Sequence, residues 1–149
     1  MKEEFKNYIA NAFPSATFDE SGDWLNVMIE AKEWRKVAEA LRRSSYDFNY
    51  LFCVTCIDWK THLTMVYHLS STGHRETVVV KAKVDRDLPV IETVSDIWRT
   101  AEFHEREAYE MFGVRFLNHP DLRRLILTDD FEGFPMRKDF EDPVNMIRL

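Results

Sequence analysis

The chain has 149 residues, 45% hydrophobic and 31% charged, with a net charge of −6. This size and balance suit one globular domain with a sizeable core, and the acidic excess argues against a nucleic-acid binder, which carries a basic surplus. No run approaches the roughly 20 apolar residues of a membrane span, and the opening MKEEFKNYIANAF lacks the apolar stretch of a secretory signal, so an intracellular protein is expected, with any membrane link made through a partner.

Phe5, Tyr8, Ile9, Ala12 and Phe13 fall at helical spacing before Pro14, which predicts a short amphipathic helix over 2–13. Residues 19–23, with Gly22, read as a turn, and 24–30 as a strand. Residues 31–43 set Trp34, Val37, Ala38 and Leu41 on one side and charges on the other, the pattern of a surface helix. Residues 48–57 are apolar almost throughout and predict a central strand buried on both faces. Residues 58–61 turn the chain. Residues 62–69 and 75–84 alternate around a hairpin loop at 70–74 containing Gly73, so three strands form an antiparallel meander. Residues 85–92, with Pro89, form a link.

Cys53 and Cys56 make a C-x-x-C, a spacing used in redox and zinc sites. On a strand, residues three apart face opposite ways, and no second pair accompanies them, so structural thiols are expected. His62 and His68 share a strand face but stand too far apart to chelate one ion unaided.

A helix is expected from Thr93, where Asp96 three residues on resembles a capping box. Val94, Ile97, Trp98, Ala101, Ala108, Tyr109 and Phe112 lie on one face at about 100° per residue, and Gly113 suits a left-handed cap. Glu105 points into that apolar stripe, while Arg106 and Glu107 are expected to turn away. A buried carboxylate there is costly unless paired and hydrogen-bonded. Arg123, Arg124 and Arg137 are candidate partners in a structural ion pair. The other readings are a catalytic carboxylate with a raised pKa and an interface residue.

After Gly113 regularity fades. Only 122–127 reads as a brief structured run, and 128–149 show no period although they hold Phe131, Phe134, Met136, Phe140, Val144, Met146 and Ile147. A long irregular stretch with this many apolar residues suggests a binding element rather than disorder. The fold class is α+β: a mostly antiparallel sheet of about four strands with helices on one face, plus an extended C-terminal segment. One domain over 1–149 is expected, an α+β core at 1–113 and a docking segment at 114–149.

The chain holds no glycine cluster for a phosphate, no nucleophile elbow, no H-E-x-x-H and no iron–sulfur cysteine cluster. Glu105, Glu107, Glu110 and His104 fan over several helix faces and do not converge on one site. No catalytic, cofactor-binding or metal residues are assigned.

Glu105-Arg106-Glu107, Glu110, Phe112-Gly113, His119-Pro120-Asp121-Leu122-Arg123-Arg124, Glu132-Gly133 and Arg137-Lys138-Asp139-Phe140 resemble the signature of one family. It is that of the small hydrophilic peripheral-arm subunit of respiratory complex I, the proton-pumping NADH:quinone oxidoreductase, with relatives in energy-converting hydrogenases. Glu110 replaces a usual Asp, Phe103 a common Trp, Asn118 a frequent Gly and Glu141 a frequent Pro. The resemblance implies an α+β accessory subunit that binds no cofactor. It would dock on the large hydrogenase-like subunit of the peripheral arm, on the cytoplasmic face of the membrane, and support assembly and electron transfer to quinone. NADH, FMN, iron–sulfur clusters and the quinone site would belong to neighbouring subunits. Structural or interface roles fall to Glu105, Arg106, Glu107, His119, Asp121, Arg123, Arg124, Arg137, Lys138, Asp139 and Phe140. The alternatives are the equivalent subunit of an energy-converting hydrogenase and a free-standing acid–base enzyme using Glu105 and His119.

Overall fold

The computed structural model describes residues 2–128 and 130–141. Helix α1 (Lys2–Ala12) is followed by strands β1 (Thr17–Asp19) and β2 (Leu25–Glu30). A 3-10 turn leads into helix α2 (Trp34–Arg43). Strands β3 (Tyr50–Asp58), β4 (Leu63–Ser71) and β5 (Glu76–Val84) follow, then β6 (Val90–Glu92), helix α3 (Ala101–Phe112) and β7 (Arg115–Leu117). The main sheet has the order β1-β2-β5-β4-β3; β6 and β7 form a separate parallel pair.

The α+β class expected from the sequence is the class observed. The meander forms as read, with Val54 opposite Tyr67 and Tyr67 opposite Val80. The main sheet has five strands rather than about four, the added one being three-residue β1. The strand expected at its centre, β3, lies at an edge instead. β2 joins β5 in parallel, Leu25 beside Val78, which leaves β2, β5 and β4 as the interior strands.

One core lies on one face of the sheet. Leu25, Val27 and Ile29 of β2, Met65, Tyr67 and Leu69 of β4, and Val78, Val80 and Ala82 of β5 are buried there with Phe5 and Ile9 of α1 and the apolar stripe of α2. The Trp34 ring stacks on Tyr67 at 4.2 Å and on Trp98 at 6.2 Å. These flat contacts fix α2 and the approach to α3 against the sheet.

Helix α3 starts at Ala101, not Thr93. Residues 93–100 form turns whose side chains are claimed by the start of β3 and the residues before it: Trp98 Nε1 donates to the Phe48 carbonyl at 2.9 Å and Thr100 Oγ1 to that of Leu51 at 2.7 Å. The turns keep a three-to-four-residue spacing (Trp98 N–H to Val94 O, 2.9 Å), which is why Val94, Trp98 and Ala101 carry the helical pattern back beyond the true start. At the other end Gly113 adopts φ +80° and donates to the Tyr109 carbonyl at 2.8 Å, the expected left-handed cap.

Candidate functional site

Three buried carboxylates organise the region that carries the signature, and each holds backbone from another segment. The first is Glu105, fully buried on α3. Thr93 Oγ1 donates a short hydrogen bond to its Oε1, and the Val94 N–H donates to its Oε2 at 3.0 Å. Among the described residues the expected arginine partner is absent: the hydrogen bonds of Arg123, Arg124 and Arg137 are made elsewhere. Arg123 and Arg124 serve the segment after α3 and Arg137 bonds the carbonyls of Phe112 and Arg86, whereas Glu105 faces the turns before α3. Burial pushes the Glu105 carboxyl up to about 7, although the bonds from Thr93 and Val94 pull it down.

His119 lies 3.8 Å from Glu105, beyond hydrogen-bond range. Its Nδ1 accepts from the Asp121 N–H and its Nε2 faces the Glu102 carbonyl, each at 3.0 Å. These partners assign the neutral tautomer with the proton on Nε2. The His119 and Glu105 side chains are both fully buried, so the pair offers a substrate no access and works as packing.

Arg106 does not turn away as expected. It is buried, and its Nε and Nη2 donate to the carbonyls of Arg123 and Arg124, both at 3.0 Å. Glu107 does face solvent. One turn along, Glu110 is the second buried carboxylate. It accepts the consecutive N–H groups of Leu125 (2.9 Å), Ile126 (3.1 Å) and Leu127 (3.2 Å). Burial pushes this carboxyl up, but the backbone donors outweigh it and hold it below its ordinary value. Thus α3 grips both the carbonyls and the N–H groups of the loop beside it.

The third carboxylate, Asp58, ends β3 and was missed in the sequence. Arg86 Nε and Nη2 donate to its two oxygens at 2.9 Å each, and the N–H groups of Lys60 and Lys138 add bonds at 2.8 and 2.9 Å. The hydrogen bonds from Arg86 hold it well below the usual carboxylate range. A signal was present: Asp58 continues the parity of Val54 and Cys56, two buried positions of the same strand.

The Arg137-Lys138-Asp139-Phe140 run therefore lies against its own domain. Arg137 Nε donates to the Phe112 carbonyl at 2.6 Å and its Nη2 to that of Arg86 at 3.2 Å. Asp139 reaches Arg86 at 3.2 Å, the Met136 N–H bonds the Met111 carbonyl at 3.0 Å, and Phe140 stacks on Phe131 at 5.9 Å. Asp121 pairs with Arg123, and Arg124 Nη1 donates to the Thr128 carbonyl at 2.6 Å. Val144, Met146 and Ile147 lie outside the described residues. Cys53 and Cys56 are free; burial pushes the Cys56 thiol up to about 12. His68, Trp24 and Phe52 form a three-ring cluster, with His68 at 5.9 Å from Trp24 and 5.7 Å from Phe52 and those two 6.4 Å apart.

Fold and site define an α+β domain whose C-terminal signature is clasped by buried carboxylates. The chain belongs to the family of the respiratory-chain NADH dehydrogenase 30 Kd subunit, whose model matches residues 27–144. It is 41% identical over 125 residues to the C/D subunit of the NADH-quinone oxidoreductase of Phocaeicola vulgatus, a match covering 83% of this chain and 24% of that protein. It thus spans about a quarter of that relative's length. It is 35% identical over 139 residues to the C component of the F(420)H(2) dehydrogenase of Methanosarcina mazei, covering 89% and 87% of the two chains. Among solved structures it superposes with a TM-score of 0.80 and 28% identity on a chain of the membrane-bound sulfane sulfur reductase, an archaeal respiratory membrane complex, over 94% of this chain and 85% of that one. Among the described residues no helix is long and apolar enough to cross a membrane.

Proposed function

We infer that the chain is an accessory subunit of the peripheral arm of a proton-pumping NADH:quinone oxidoreductase, holding no redox cofactor of its own. It docks on the large hydrogenase-like subunit at the cytoplasmic face of the membrane and reaches the membrane only through partners. The observation that carries this reading is how the signature residues are used. Glu105, Arg106, Glu110, His119 and Arg137 bind backbone of their own chain, an arrangement that suits a rigid fitting better than a reaction centre. The Phocaeicola relative, named as a joined C/D subunit, supports a hydrogenase-like neighbour.

A second reading is the same fitting in a complex with another electron donor. The Methanosarcina relative and the sulfane sulfur reductase neighbour favour it. Purification of the tagged chain from solubilised membranes, with mass spectrometry of its companions, tests both. Companions with NADH-oxidising flavin and quinone reductase activity support the first reading. An F420-oxidising or nickel-containing companion set replaces it with the second. Stoichiometric iron, zinc or flavin in the isolated chain overturns the cofactor-free role.

A further inference from the structure

The loop gripped by α3 presents apolar side chains to solvent. Its backbone is held from two sides, the carbonyls of Arg123 and Arg124 by Arg106 and the N–H groups of Leu125, Ile126 and Leu127 by Glu110. Yet Leu125 is 41% exposed and Ile126 68%. Surface loops ordinarily leave their backbone to water and their tips polar. Here two charged groups of one helix are buried to fix a tip whose aliphatic side chains face outward. Phe103, 56% exposed, adjoins it across the Arg106 guanidinium, which lies 5.7 Å from the ring centre.

We propose that Leu125 and Ile126 form a preorganised anchor that inserts into an apolar pocket, rimmed by carboxylate, on the large subunit. The identity of that partner rests on the function proposed above; the anchor deepens it. A tip already rigid loses little conformational freedom on docking, and apolar anchors in desolvated pockets dominate interface energetics. The rim chemistry follows from Arg123, whose side chain is 74% exposed beside the tip; Asp121 takes its Nε, and the two Nη groups are left to meet a carboxylate. A lipid surface fits poorly, because the tip offers only two aliphatic side chains and the chain carries a net charge of −6. In the Phocaeicola relative the larger remainder belongs to the same polypeptide as this domain, which keeps such a partner within reach of the tip.

The test compares full-length wild type with Ile126→Asp and Leu125→Asp. Trp59→Ser and Tyr50→Ser serve as controls on exposed side chains elsewhere. Affinity for the co-expressed large subunit is titrated, with melting curves, liposome flotation and sedimentation run in parallel. The tip variants are expected to melt as wild type and to bind the large subunit about tenfold or more weaker, with both controls unchanged. Undiminished binding by the tip variants overturns the anchor and leaves the partner reading standing. Failure of the wild-type chain to bind the large subunit overturns both. Flotation or self-association that the tip variants abolish, with large-subunit binding intact, reassigns the tip to lipid or to a second copy and overturns the anchor.

Discussion

Asp58 and Arg86 meet in a fork-to-fork pair, two parallel hydrogen bonds of 2.9 Å, and the Lys138 N–H binds the same carboxylate. This ties the end of β3, the link after β5 and the C-terminal segment at one point. Removing Asp58 leaves the Arg86 guanidinium to the exposed Asp139 and strands the Lys138 N–H, so Asp58→Ala is expected to destabilise the protein by about 3 kcal/mol. Residues 136–140 are expected to lose amide-exchange protection with it. Because Arg86 depresses this carboxyl, its contribution is present above the unfolded value near pH ~4 and is lost as pH falls through the lower folded one. Acid titration of wild type against the variant checks the sign.

Glu105 titrates in the opposite sense. Burial raises it to about 7, whereas an unfolded Glu titrates near ~4.3, so the folded protein binds the extra proton between these limits. Its stability contribution is therefore full at the acid end and is lost as pH rises to neutrality, by about 3 kcal/mol in all. Glu105→Gln keeps an acceptor without the charge and is expected to flatten that slope in denaturant melts from about pH 5 to 8.

Glu105→Ala strands the Val94 N–H and opens a cavity, while the Thr93 hydroxyl keeps Ser95 as its partner. It is expected to cost about 2–4 kcal/mol. Exposed Glu107→Ala is expected to change stability by under about 0.5 kcal/mol. Equal melting temperatures for the two would contradict the burial described for Glu105.

Glu110→Ala removes the acceptor of three successive N–H groups. The expected loss is about 1–3 kcal/mol, with rapid hydrogen exchange at Leu125, Ile126 and Leu127 while the amides of α3 stay protected. Uniform exchange along helix and loop would show that the grip is not local.

Gly113→Ala places a methyl group 2.8 Å from the Phe134 ring, at a backbone φ of +80°. The left-handed conformation alone is expected to cost about 1–2 kcal/mol. Displacement of Phe134 should appear as altered ring-proton shifts.

The sequence made α2 and the meander legible because each side chain there obeys one period. Trp34, Val37, Ala38 and Leu41 are all buried, as read. The position of β3 was not legible, because an apolar run does not report burial on both faces: Tyr50 and Thr55 are exposed and Phe52, Cys53 and Ile57 half-buried, with α3 covering the inner face alone. The burial of Glu105 was legible as a carboxylate in an apolar stripe. Its partners were not, because Thr93 and Val94 lie in turns that mimic helical spacing and so read as the first turn of α3. Arg106 escaped for a simpler reason: periodicity reports which way a side chain leaves a helix and is silent about a loop folded over that side. The arginines expected to take structural or interface roles, Arg106, Arg123, Arg124 and Arg137, each bond within their own chain.

The parallel insertion of β2 beside β5 also sets an order of events at the ribosome. Leu25 must wait for Val78 to be synthesised before its ladder can close. Until then α1, β2 and α2 lack the central strand against which their apolar residues pack. Pairing across such a long intervening loop slows folding and leaves apolar surface open to aggregation. A nascent chain halted before residue 76 is thus the form on which a holding chaperone would act, whatever complex the finished domain joins.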